Sequence, residues 1–339
     1  MFALADQKTK RRKDIMLIPI LMLALGFVLL IKGGDWFVDG ASGIARRFHL
    51  PEILIGATVV SIGTTLPEVM VSAGAALQGS GSIAYGNAIG SIICNTALIA
   101  ALTVSIKPGR ADRKSMIIPV AFFFVSAFLY CFIAYAFGRF SRLCGFALLA
   151  IFVIYMISNV LSMKKSSAQE AQVSGDEGEI QGGSFLKDIV LLVIGAVLIA
   201  FGADFLVDNA IIIAEKCGVS EKVIGLTIVA LGTSLPELVT AITSLIKGHG
   251  SLSLGNIIGA NIFNLVLVSG AAVAINPFDL PVSGLVAGIN SSLVIDIPVM
   301  LLVMSILTIP TLIKQKLSRW QGIVLLGIYA LFCILQFAI

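Results

Sequence analysis

Two glutamates lie within strongly apolar stretches of the chain, each at the end of nearly the same phrase. Residues 63–68 read Gly-Thr-Thr-Leu-Pro-Glu, and residues 232–237 read Gly-Thr-Ser-Leu-Pro-Glu. A carboxylate at the centre of a membrane costs about 3 kcal/mol on insertion scales, so it is retained where it has a function. Glu68 and Glu237 are therefore the first candidates for an ion-transport site.

A proline directly precedes each of these glutamates. Pro67 has no backbone N–H, so in a continuous helix the carbonyl oxygen of Gly63 loses its donor. Pro236 has the same effect on the carbonyl of Gly232. Freed carbonyls at membrane depth are tolerated where they line a cavity, and hard cations such as Ca²⁺ and Na⁺ prefer oxygen ligands. The pattern predicts a cation site.

Hydroxyl side chains accompany both glutamates. Ser61, Thr64 and Thr65 fall on the same helical face as the first glutamate. Thr233 and Ser234 offer a similar set in front of the second. These hydroxyl groups extend the candidate ligand set, and the polar face they form points to a lined ion pathway rather than to lipid contact.

The spans that follow each phrase supply amide oxygens, which are neutral ligands for the same cations. Asn87, Ser91 and Asn95 lie on one helical face, and Asn256 and Asn264 repeat part of this pattern. Polar side chains also join membrane helices by hydrogen bonds. For the asparagines at 87 and 256 both roles remain open, whereas Ser91, Asn95 and Asn264 join the candidate ligands.

The composition indicates a polytopic membrane protein. The 339 residues are 58% hydrophobic and 12% charged, against about 25% charged in an average soluble domain. Mean hydropathy is +1.03. The net charge of +4 comes from basic residues between apolar runs, which is typical of loops that set membrane orientation and not of a nucleic-acid surface.

Ten spans are predicted, with approximate limits 15–46, 52–78, 82–105, 115–138, 140–163, 185–216, 221–247, 251–275, 285–313 and 318–338.

The chain is an internal duplication. A single offset of 169 residues aligns 35–95 with 204–264, including both glutamates and the glycine-asparagine pairs that follow them. With five spans in each half, the second half is inverted relative to the first. The expected fold is an all-α polytopic protein of two inverted five-helix repeats, with halves at 1–163 and 185–339. The polar segment 164–184 is predicted to be a flexible linker between them.

The paired phrases, each followed by Gly-Asn-x-Ile-Gly, resemble the α-repeats of the cation/calcium exchanger superfamily, and most closely those of its prokaryotic sodium/calcium exchanger branch. The repeat motifs span 56–95 and 225–264, and the ten-span plan extends the resemblance to nearly the whole chain. It implies that the family's essential glutamates fall on Glu68 and Glu237. It also implies that the neighbouring ligands fall on Thr64, Thr65, Thr233, Ser234, Ser91, Asn95 and Asn264.

Two positions depart from the family pattern. Ala260 stands where members often have a serine that contributes to a sodium site. Asn264 stands where the potassium-dependent branch has aspartate, which argues for potassium independence. The halves also differ at Ser61 against Ala230 and at Ser91 against Ala260, so these positions bear on how many sodium ions the shared site holds.

The expected function is Ca²⁺/Na⁺ antiport by alternating access, in a transporter and not an enzyme, with the ions as substrates and no cofactor. Two carboxylates are neutralised by one Ca²⁺ or two Na⁺, and the third Na⁺ that the resemblance implies would make exchange electrogenic. The first and sixth spans, long and outside the polar motifs, are expected to slide across the ligand-bearing core. A proton/cation exchanger is the alternative, and a cation channel is a third possibility.

The expected partners are Ca²⁺, Na⁺ and the lipid bilayer, without nucleic acid. Lys and Arg are more numerous in the loops on the linker side, which predicts a cytoplasmic linker in a prokaryotic inner or cell membrane. The sequence leaves the oligomeric state open, and a monomer is compatible with it.

Overall fold

The computed structural model describes residues 2–174, 184–217, 232–282 and 284–338, and the fold is almost entirely helical. Within these ranges, nine helical spans are long and apolar enough to cross a membrane, and a tenth apolar helix is shorter. The helices are α1 (Phe2–Arg47), α2 (Glu52–Leu77), α3 (Gly81–Ile106), α4 (Arg113–Phe137), α5 (Arg142–Ser174), α6 (Phe185–Lys216), α7 (Leu235–Ile246), α8 (Gly250–Ile275), α9 (Ser292–Lys314) and α10 (Arg319–Ala338). The prediction of an all-α polytopic membrane protein is confirmed.

Most helix limits lie close to the expected ones, and four regions differ. The first helix begins at Phe2, well before the apolar run that predicted it. The fifth continues to Ser174, so the beginning of the segment predicted as a linker is helical. Of the predicted seventh span, the structure describes residues 232–247, which include α7, because 218–231 lie outside the described residues.

The predicted ninth span begins too early. Residues 285–290 form a hairpin of β3 (Leu285–Val286) with β4 (Ile289–Asn290), and the helical span starts only at Ser292. Ala287 and Gly288 both have positive φ, the backbone conformation of a tight hairpin turn. Apolar residues suit a short strand as well as a helix, so hydropathy alone placed this boundary wrongly. A second strand pair joins β1 (Arg139–Phe140) to β2 (Phe278–Asp279).

Burial separates the helices into an inner and an outer set. In the most apolar window of α8, 83% of the residues are buried inside the protein, against 28% for α1 and 22% for α6. The helices α2, α3 and α8 therefore form the interior, whereas α1 and α6 pack along each other at the periphery with apolar side chains on their outer faces. This arrangement leaves α1 and α6 with a large lipid-facing surface.

Both halves contain the same local irregularity. Asn95–Ala100 and Asn264–Val268 are π-helical, and the two segments begin at positions related by the repeat offset. Gly56–Val60 is a further π-helical segment in α2. Such segments re-aim side chains within a helix and are frequent at functional sites. The two segments related by the repeat begin at the candidate ligands Asn95 and Asn264.

Candidate ion-binding site

The two glutamates are fully buried side chains whose carboxylate oxygens accept no hydrogen bond from a described residue. Glu68 on α2 and Glu237 on α7 each have 0% exposure. Neither oxygen of either carboxylate has a hydrogen-bond partner among the described residues. The two carboxyl groups are close enough to repel each other electrostatically. Burying two such groups without partners among the described residues is costly, and a cation between them would offset that cost.

The two repeated phrases meet in space, as the duplication predicts. A cavity of about 10 Å³, close to the size of one water molecule, is lined by Gly63, Thr64 and Pro67 from the first phrase and by Pro236 from the second. Phe37 of α1 and residues of α6 complete its wall. The phrases from the two halves therefore face one shared interior space, which the peripheral pair of helices covers.

The phrases differ in local structure, which corrects one expectation. Pro67 lies inside the helix that begins at Ser61, as expected. Pro236, in contrast, lies in the first turn of α7, after a turn at 233–234, so it does not interrupt a continuous helix around Gly232. Proline is well tolerated there, because the first N–H groups of a helix have no intrahelical acceptor.

The position of Glu237 has an electrostatic consequence. Its carboxylate belongs to the first turn of α7, and the positive end of the helix dipole favours negative charge there. Glu68 lies in the middle of its helix and has no such support. The two glutamates are equivalent in sequence, but their electrostatic surroundings differ.

The hydroxyl groups around the glutamates are buried, and two of them have no partner. Thr64, Thr65 and Ser234 are each at most 2% exposed. The hydroxyls of Thr65 and Ser234 make no hydrogen bond to any described residue. The side chains of Thr64 and Thr65 also approach the carboxyl group of Glu237. The hydroxyl groups of Thr64 and Thr65 therefore lie beside the carboxyl group of Glu237.

Asn95 and Asn264 supply two further unsatisfied groups. Both side chains are fully buried, and neither the oxygen nor the nitrogen of either amide has a hydrogen-bond partner in the described part of the chain. Each is the first residue of a π-helical segment. Ser91, one turn before Asn95, is buried as well. Thr233 is half-buried, and Gly232 is buried against Val207.

Ser61 has a structural role that its spacing did not reveal. Its hydroxyl lies 2.8 Å from the carbonyl oxygen of Gly56 and 3.2 Å from the side-chain oxygen of Asn256. The hydroxyl of Thr64 donates to the same amide oxygen at 3.2 Å. Asn256 on α8 thus fastens the polar face of α2 from the other half of the chain. Sequence spacing cannot detect this contact, because it joins residues far apart.

Asn87 plays a similar part within the first half. Its side-chain amide donates to the backbone carbonyl of Glu68 at 3.1 Å and to the hydroxyl of Ser72 at 2.8 Å. Of the two roles left open for the asparagines at 87 and 256, the structure provides the hydrogen-bonding one. Both hold the glutamate-bearing helix in position.

Two acidic residues of α1, Asp35 and Asp39, form ion pairs with a lysine at the end of α7. Lys247, directly after α7, lies 2.8 Å from Asp39 and 3.4 Å from Asp35. Their repeat counterparts Asp204 and Asp208 lie close enough to interact with each other. Ala230, the repeat counterpart of Ser61, lies outside the described residues.

A third carboxyl group inside the membrane lies apart from the glutamates. Asp296, on α9, accepts a 2.7 Å hydrogen bond from Gln336 of α10. One carboxylate oxygen of Asp296 therefore has a hydrogen-bond partner among the described residues, whereas the carboxylate oxygens of Glu68 and Glu237 have none.

Fold and site together define a polytopic membrane protein with a carboxylate pair at the interface of its two halves, which is the architecture of secondary ion transporters. A family model described as sodium/calcium exchanger protein matches residues 18–161 and again 187–338. The chain belongs to this family.

Similar proteins extend over nearly the whole chain. Sodium/calcium exchanger MaX1 of Methanosarcina acetivorans is 33% identical over 95% of this chain and 99% of its own length. Membrane protein MJ0091 of Methanocaldococcus jannaschii is 34% identical over 90% of this chain and 93% of its own. A solved structure of the sodium-calcium exchanger NCX_Mj, soaked with Na⁺ and Sr²⁺, matches with a TM-score of 0.76 at 34% identity, covering 93% of this chain and 98% of that one.

Proposed function

We propose that this protein is a secondary active antiporter that exchanges Ca²⁺ for Na⁺ across the membrane by alternating access. The observation that carries the proposal is the fully buried pair of Glu68 and Glu237, without hydrogen-bond partners among the described residues, in a chain of the sodium/calcium exchanger family. The relatives named as sodium/calcium exchangers support the choice of ions.

The charge of the site explains why the two ions compete. The carboxylates carry two negative charges, which one Ca²⁺ or two Na⁺ neutralise. Closing a low-dielectric interior over two uncompensated carboxylates is costly, so the protein closes over a loaded site more readily than over an empty one. The neutral oxygens of Thr65, Ser234 and the two asparagines complete the coordination, as hard cations require.

Further features belong to the same proposal. A third Na⁺ makes the exchange electrogenic, and the absence of a carboxylate at Asn264 makes it independent of K⁺. The halves 1–163 and 185–339 are the two inverted repeats, the segment 164–184 lies in the cytoplasm, and the protein resides in the cell membrane, a placement supported by the loop charges.

Calcium flux into vesicles containing the purified full-length protein tests the proposal. Na⁺-loaded vesicles are diluted into Na⁺-free buffer with Ca²⁺, in the presence of a protonophore that collapses any proton gradient. We expect Ca²⁺ uptake that depends on the Na⁺ gradient and that a K⁺/valinomycin potential accelerates or slows according to its sign. Uptake that follows a pH gradient and ignores Na⁺ would identify a proton exchanger instead. Ca²⁺ movement without any counter-gradient would identify a channel.

A further inference from the structure

A second cavity, larger than the one between the two repeated phrases, opens at one surface of the membrane domain. Its volume is about 200 Å³, and it lies where α3 ends and α8 begins. Its inner wall is apolar and includes Val104, Leu254 and Ile257. The cavity therefore reaches from the membrane surface into the apolar interior between helices.

The rim of this cavity is basic. Lys107 and Arg110 line it, and no acidic residue is among the described residues that do so. Neither of these two side chains forms an ion pair within the described ranges of the chain. Two exposed cations beside an apolar wall, with no carboxylate among the described lining residues, favour an anionic ligand.

Backbone hydrogen bonds hold this rim in place. The N–H of Leu317 donates to the carbonyl of Gly109 at 2.8 Å, and the N–H of Ala111 donates to the carbonyl of Gln315 at 3.2 Å. They flank Arg110 on both sides and tie the loop after α3 to the segment before α10. The cationic rim is thus part of a fixed wall.

A buried serine also lines the cavity. Ser253, in the first turn of α8, lines the cavity at 3% exposure, and its hydroxyl makes no hydrogen bond to a described side chain or backbone group. Gly250 and Ser251, at the start of the same helix, line the cavity too. The N-terminus of a helix favours an anion through its free N–H groups and its dipole.

We propose that this cavity binds the phosphate of an anionic membrane phospholipid, with the phosphate between the basic rim and the start of α8. The glycerol and the first part of an acyl chain lie along the apolar wall. A soluble phosphate could use the cations and the hydroxyl, but it would leave the apolar wall uncovered. Basic pockets between membrane helices are a recurrent form of lipid recognition.

Native mass spectrometry of the purified full-length protein tests the proposal, with phosphatidylglycerol as the probe and phosphatidylcholine as the zwitterionic comparison. The variant is Lys107→Gln with Arg110→Gln. The matched control is Arg113→Gln with Lys114→Gln, which removes the same charge from the start of α4, directly after this loop and outside the cavity. We expect the wild type and the control to retain phosphatidylglycerol. The variant should retain at least about five-fold less phosphatidylglycerol than the wild type, and all three proteins should bind phosphatidylcholine equally weakly.

A second experiment distinguishes a bound lipid from a bound soluble anion. Inorganic phosphate at millimolar concentration is added in place of lipid, and thermal unfolding is followed in the same three proteins. If inorganic phosphate stabilises the wild type but not the variant, while phosphatidylglycerol is retained equally by both, the ligand is a soluble anion and the lipid assignment is wrong. Equal loss of lipid in the variant and the control would also overturn the proposal, because general surface charge would then account for binding. Melting temperatures without ligand confirm that each variant is folded.

Discussion

Gly26 of α1 and Gly202 of α6 face each other so closely that neither position has room for a side chain. A Cβ atom on Gly26 would lie 2.9 Å from the carbonyl oxygen of Gly202, and one on Gly202 would lie 3.0 Å from that of Gly26. Gly33 and Gly195 are related in the same way, at 2.9 and 2.8 Å. Van der Waals packing of small residues is what holds membrane helices at such short separations.

The two glycine pairs are related to each other by the repeat of the chain. Gly195 is the repeat counterpart of Gly26, and Gly202 is that of Gly33, since both pairs are separated by 169 residues. Each glycine therefore packs against the counterpart of the other, which is the signature of a two-fold relationship. The helices run antiparallel, because the partner's number falls as the residue number rises. The inversion of the second half is thus visible in one pair of helices.

Filling the close contact should destabilise the protein. We expect Gly33→Ala to lower the free energy of unfolding by about 1–3 kcal/mol, because the backbones of α1 and α6 must move apart to admit the methyl group. Gly327→Ala on α10 is the control, since a Cβ there meets no described atom within 4 Å. Thermal unfolding of the purified proteins provides the comparison. Equal melting temperatures for the two variants would contradict a tight glycine interface.

Alternating access by sliding of α1 and α6 predicts that a covalent link from α1 to the core stops exchange. A Cβ on Gly34 would lie 3.7 Å from the Cβ of Thr243 on α7, close to the separation of about 3.8 Å between the Cβ atoms of a disulfide. It would also lie 2.7 Å from a methyl group of Val239, so that side chain must shift to admit the cysteine. In a background with the five native cysteines replaced by alanine, Gly34→Cys with Thr243→Cys should lose Ca²⁺ uptake on oxidation and regain it on reduction. Each single cysteine variant should be insensitive to oxidant. Full activity of the crosslinked protein would exclude sliding of α1 over α7.

Sequence reasoning located the glutamates and their meeting place because both depend on the repeat. Intramembrane carboxylates are too costly to be incidental, and inversion of two copies brings equivalent residues to one interface. What it missed depends on contacts between distant residues or on local alternatives. Spacing along the chain carries no record of the bonds from Ser61 and Thr64 to Asn256. Pro236 is compatible both with a break inside a helix and with its first turn, and the structure has the second.

Neutralising either glutamate should abolish exchange without unfolding the protein. In Glu68→Gln the site keeps a single negative charge, so it can no longer balance Ca²⁺, and Ca²⁺ uptake should fall to the level of empty vesicles. Removing a buried, unpaired carboxylate relieves electrostatic repulsion, so the melting temperature should stay the same or rise. Glu237→Gln should behave alike.

The control for these variants is a glutamate at the end of the same helix. Glu52 begins α2 and pairs with His249 at 2.6 Å, away from the site. Glu52→Gln should retain Na⁺-driven Ca²⁺ uptake within about two-fold. Substantial Ca²⁺ exchange by Glu68→Gln would mean that the carboxylate pair is not the binding site.

Adding a third carboxylate should change the ion requirement of the site. Asn264 is fully buried, and its amide has no partner among the described residues, so an aspartate at this position would add a negative charge that must be compensated. In wild type we expect Na⁺-driven Ca²⁺ uptake to be the same in K⁺ and in choline. In Asn264→Asp, closing over Ca²⁺ leaves one uncompensated charge, so uptake in choline should drop at least about ten-fold, the equivalent of about 1.4 kcal/mol, and K⁺ should restore part of it. Asn95→Asp tests the equivalent position of the other half. K⁺ dependence in wild type, or full activity of Asn264→Asp in choline, would show that charge balance at this position does not set the ion requirement.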